Sequence, residues 1–65
     1  MDNELIVIVY DKNRKVRSIE IFGSEEEAKT YAHKAQSLHL QVEAFSRCCD
    51  RKGFVVYRQL LVQVF

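Results

Sequence analysis

Residues 54–65, Phe-Val-Val-Tyr-Arg-Gln-Leu-Leu-Val-Gln-Val-Phe, constrain this chain more than any other stretch. They contain no Gly or Pro and are β-branched, aromatic or apolar at most positions, the composition of a strand. Fully extended, such a segment would reach roughly 40 Å at about 3.3 Å per residue, longer than the about 10 residues that usually bound a strand. It must bend, or carry its end to a partner. Alternate residues of a strand face opposite sides of a sheet, and here both sides are apolar: Phe54, Val56, Leu60, Val62 and Val64 in one phase, Val55, Tyr57, Leu61 and Phe65 in the other. Both faces therefore need cover, unless a bulge near Arg58 switches the phase and buries part of the second set.

The chain has 65 residues, a size that folds as one domain over 1–65 and buries only about 60% of the surface its unfolded chain exposes. A large enzymatic cleft does not fit that size. With 48% hydrophobic and 29% charged residues the chain is too apolar to stay disordered, and it has no apolar run long enough to span a bilayer. The start, Met-Asp-Asn-Glu, is acidic, and Leu5 to Val9 is too short for the core of a signal peptide, so the expected location is cytoplasmic. Cys48 and Cys49 are adjacent and cannot staple distant parts of a fold. A reducing compartment fits them, and stability must come from packing or association.

Leu5 to Val9 reads as an interior strand covered on both faces, which Tyr10 extends to a turn at Asp11-Lys12-Asn13-Arg14-Lys15. The next strand, Val16 to Phe22, alternates, with Ile19 and Ile21 on one side and Ser18 and Glu20 on the other, a half-solvated edge strand closing a hairpin. Gly23 breaks it. Ser24 and Glu27 form a Ser-x-x-Glu capping box, and Glu25, Glu26 and Glu27 complement the positive end of a helix dipole. The spacing predicts a helix over about 25–38, with Ala28, Tyr31, Ala32, Ala35 and Leu38 on one face. Three alanines in that stripe let the helix sit close to a sheet. Leu40, Val42 and Ala44 alternate with Gln41, Glu43 and Phe45 as a third strand, and Cys49-Asp50-Arg51-Lys52-Gly53 is a second turn before the final strand.

The expectation is a small α+β domain, β-β-α-β-β, with one helix packed on one face of a four-stranded sheet. Two strand orders fit. The most apolar strands, first and fourth, can lie side by side in the centre, giving second, first, fourth, third, an order that resembles β-grasp folds. Alternatively the third strand pairs with the first and the sheet is antiparallel throughout. Burial of central strands on both faces favours the β-grasp-like order. That likeness is one of element order alone and implies no function.

No catalytic arrangement, cofactor site or metal site is expected. Adjacent Cys48 and Cys49 point to opposite faces of a strand, and His33 and His39 are six apart, whereas ligands on one helix face need a spacing near three or four. His33 falls on the polar helix face, and His39 at the helix end, where its side chain suits the exposed carbonyls. Ser18, Ser24, Ser37 and Ser46 show no nucleophile motif, and two glycines, Gly23 and Gly53, make no phosphate-binding loop.

Basic residues gather at two places, Lys12, Arg14, Lys15 and Arg17 around the first turn and Arg47, Arg51, Lys52 and Arg58 around the second. As the helix carries the chain back along the sheet, the two turns fall at opposite ends. Polyanion contact through Lys12, Arg14, Lys15, Arg17, Arg51 and Lys52 is therefore the second expectation, a nucleic-acid-binding accessory domain, with a net charge of only +1 against it. The first is a non-enzymatic protein-binding module whose interface is Phe45, Val55, Tyr57, Leu61 and Phe65, the side chains in the phase opposite the better apolar register of their strands. Such a chain would form a homodimer and bind a larger protein as an inhibitor or adaptor. Phages and mobile elements use small non-catalytic proteins of that kind against host enzymes or defence complexes.

Overall fold

The computed structural model describes residues 4–60. Its elements are β1 (Leu5–Tyr10), β2 (Val16–Phe22), α1 (Glu25–Ser37), β3 (Gln41–Cys49) and β4 (Val55–Leu60). The α+β arrangement of one helix on a four-stranded sheet is as expected, but the strand order is β2-β1-β3-β4. Every neighbouring pair is antiparallel. The β-grasp-like order is thus overturned in favour of the antiparallel alternative, and β4 lies at an edge.

The reason is visible beneath the helix. Val7 pairs with Ala44 and Val9 with Val42, so the helix-facing row of β3 is Val42, Ala44, Ser46 and Cys48. The corresponding row of β4 is Val56, Arg58 and Leu60. A guanidinium cannot lie under a helix that packs through methyl groups, because burying an unpaired charge is costly. Small Ala44 can, and it is fully buried in a core cluster with Leu5, Val7, Val9, Ala28, Ala32 and Ala35, all of them buried. The helix consequently packs on β1, β3 and β2 and not on β4.

The helix begins where expected. Ser24 is its N-cap, accepting from the Glu27 N–H at 3.5 Å, with Glu25, Glu26 and Glu27 in the first turn. It ends one residue early, and Leu38, expected in the core stripe, is 60% exposed. The chain turns away there because His39 adopts a left-handed backbone, φ 63. The His39 N–H donates to the Gln36 carbonyl at 2.8 Å and the Leu40 N–H to the Ala35 carbonyl at 3.2 Å, a Schellman closure. His39 therefore ends the helix through its backbone conformation, and Leu40 packs against the core in place of Leu38.

The two hairpin turns share one construction. Asp11 Oδ1 accepts from the N–H groups of Asn13 and Lys15 at 2.8 and 2.9 Å, and Asp50 Oδ1 from those of Lys52 and Phe54, both at 2.9 Å. The fourth residue of each turn is left-handed, Arg14 at φ 65 and Gly53 at φ 88.

Candidate functional site

The hairpin register decides which side chains face away from the helix. Leu5, Val7 and Val9 point to the helix, and their partners Phe22, Glu20 and Ser18 share that side. Phe22 and Tyr31 pack ring to ring at 5.4 Å, and the Ser18 and Tyr31 hydroxyls bond at 2.7 Å. Ile19 and Ile21 consequently lie on the opposite, outer face, 56% and 62% exposed. The solvated phase of β2 is thus the apolar one, the reverse of what alternation alone suggests.

On this outer face, Ile21, Ile6 and Phe45 form one cross-strand row, with Ile19 and Ile8 in the next. On β4 the partner of Phe45 is Gln59, and Tyr57 and Val55 lie further along the same face, opposite Arg47 and Cys49, 58% and 46% exposed. Ile6, Ile8, Phe45 and Tyr57 line a shallow depression with a wholly apolar lining. Three of the residues expected at an interface, Phe45, Val55 and Tyr57, therefore share the outer face, Phe45 and Tyr57 in one depression and Val55 further along β4, whereas Leu61 and Phe65 lie outside the described residues. The pairing of Val55–Leu60 runs without a register shift, so within that span no bulge at Arg58 switches the phase. The isoleucines of β1 and β2 are the part that sequence reasoning missed. The continuous apolar run of β1 was the available signal.

Polar groups flank the isoleucines and separate Phe45 from Val55. The Tyr10 hydroxyl donates to Glu43 Oε1 at 2.7 Å. That bond, with desolvation and the carboxylate's charge, raises the Tyr10 pKa above its ordinary value. At the other end Arg47 Nη1 donates to Glu4 Oε1 at 2.6 Å, and the Arg47 N–H to the Glu4 carbonyl at 3.0 Å. Glu4 thereby ties the start of β1 to β3 and partly neutralises one basic side chain near the second turn.

The remaining cations do not converge. Lys12, Arg14, Lys15 and Arg17 are exposed at the end of the sheet where Tyr10 pairs with Gln41. Arg51 and Lys52 are exposed at the far end, beyond the Cys49–Val55 pair. Arg47 and Arg58 project from opposite faces. Cys48 and Cys49 are free thiols on opposite sides of β3, and His33 and His39 are exposed. Among the described residues no three His, Cys, Asp or Glu side chains converge as metal ligands would, and no helix is long and apolar enough to cross a membrane. Comparison with protein-family models, curated proteins and solved structures finds no match to this chain.

Proposed function

We propose that this chain is a non-enzymatic protein-binding module that self-associates through β4 and presents its outer sheet face to a larger protein, acting as an inhibitor or adaptor. The observation that carries the reading is the outer face itself. Ile6, Ile8, Ile19, Ile21 and Phe45 form an apolar surface across three strands, Tyr57 of β4 shares a depression with Ile6, Ile8 and Phe45, and Val55 lies beyond Arg47 on the same face. A monomer that stays soluble rarely leaves a face of that extent bare. Tyr10, Glu43, Glu4 and Arg47 add polar groups beside and within that face, a mixture of apolar and polar side chains that supports reading it as a protein interface. The cations, divided between two ends of the sheet, offer no single stripe to a nucleic acid.

The test is affinity purification from the native host with the unmodified chain and with Ile21→Glu. Ile21 is exposed in the monomer, so the substitution leaves the fold within about 0.5 kcal/mol of the parent. The unmodified chain should retain a protein partner in defined stoichiometry and Ile21→Glu should lose it. Retention by both, or nuclease-sensitive nucleic acid in place of protein, overturns the reading.

A further inference from the structure

We propose that a second copy of this chain adds to the open edge of β4, antiparallel and about a twofold axis at Tyr57, joining the two sheets into one. This specifies the geometry of the self-association proposed above and rests on it.

The argument starts from which backbone groups β4 leaves free. Arg47 directs its N–H to Glu4 on β1. By the alternation of an antiparallel ladder, Ala44, Ser46 and Cys48 therefore direct theirs to β4, where they face Leu60, Arg58 and Val56. The Asp50 N–H bond to the Phe54 carbonyl continues the same parity through the turn. Val55, Tyr57 and Gln59 must then present both N–H and C=O along the outer edge of the sheet, with no partner strand among the described residues.

The two edges of this sheet differ. Along β2, Arg17 and Glu20 are exposed charges, the register shifts between Val9 and Tyr10, and Tyr31 reaches over Ser18. Charges, bulges and covering side chains are the devices that keep an edge from pairing. β4 has a regular backbone, one charge in Arg58, and no helix over it. Joining β4 to β2 of another copy would be head-to-tail and open-ended, and the protection of β2 opposes it. Joining β4 to β4 closes after two chains.

The occupant and register follow from the same residues. Val55, Tyr57 and Gln59 are symmetric about Tyr57, so setting Tyr57 opposite its own copy pairs every free group on these three residues. Val55 then faces Gln59 of the second copy. Arg58 faces Val56 of the second copy and not its like. The two Tyr57 rings meet on the outer face as a cross-strand aromatic pair. The apolar outer faces of both chains become one surface, available to the larger protein and not consumed by dimerisation.

The experiment is oxidative cross-linking in a Cys48→Ser, Cys49→Ser background, with sedimentation of the unmodified protein at micromolar concentration. Directly paired residues of this type lie about 5.5 Å apart at Cα, inside the about 4.4–6.8 Å range of a disulfide. Tyr57→Cys should therefore give a covalent dimer on mild oxidation, while Ile21→Cys, on the outer face of β2, should not. Gln59→Pro removes only an outward N–H and should yield a monomer with the β3–β4 ladder intact. A dimer that cross-links through Ile21→Cys and not Tyr57→Cys, or that persists in Gln59→Pro, overturns this geometry and leaves self-association standing. A monomeric unmodified protein removes both.

Discussion

Three described residues have a left-handed backbone, Arg14 at φ 65, His39 at φ 63 and Gly53 at φ 88. Only at Gly53 does the residue type suit the conformation, since a Cβ in that region crowds its own carbonyl. A Cβ built on Gly53 meets nothing within 4 Å, so a substitution there changes backbone strain without a steric clash. Arg14→Gly and His39→Gly should each stabilise the fold by about 1 kcal/mol, and Gly53→Ala should destabilise it by about as much. Urea midpoints check all three, and a Gly53→Ala variant as stable as the parent would refute the strain argument. The turn at Gly53 was legible in the sequence because its residue type announces its conformation. The turn at Asp11 is equally legible, but its left-handed position is not, because an arginine occupies it, and the same holds for the left-handed His39 at the helix end.

At the scale of elements, the contact between α1 and the sheet is made by methyl groups. Ala28, Ala32 and Ala35 meet a sheet whose central position is Ala44, and all four are buried. Backbones held that close leave no room for a longer side chain, and overpacking in such a core typically costs about 1–3 kcal/mol. Ala44→Leu should lower stability by that amount, whereas the same enlargement by Ala→Leu on an exposed strand would not. A more stable Ala44→Leu variant would show that helix and sheet are not in close contact. The existence and type of every described element could be read from periodicity, caps and turns, and so could the alanine stripe. Strand order could not be read from total apolarity, because β4 is apolar on both sides yet carries Arg58 in its helix-facing row. Weighing the smallest inward row, Val42-Ala44-Ser46, against the helix alanines identifies the central strand. The same error of face applied to β2, where pairing to Leu5, Val7 and Val9 overrides the pattern of Ile19 and Ile21.

For the molecule as a whole, the helix-side core is thin. Its buried side chains are one leucine, two valines and four alanines, with Phe22, Tyr31, Leu40, Val42 and Leu60 partly buried against them, while four isoleucines, Phe45 and Tyr57 lie on the outer face. Large apolar side chains contribute about 1.5–3 kcal/mol each when fully buried, so Ile19, Ile21, Val55 and Tyr57, exposed among the described residues, leave stabilisation to be gained when the face is covered. A species that binds only the folded form adds to its stability by mass action, and a second copy does so in proportion to protomer concentration. The melting temperature should therefore rise as the protein is concentrated, and the rise should vanish in Gln59→Pro, whose strand edge no longer pairs. Calorimetry over a wide concentration series reads this directly. A melting temperature independent of concentration in the unmodified chain would mean that the thin core suffices alone, and that the outer face and the β4 edge serve the larger partner only.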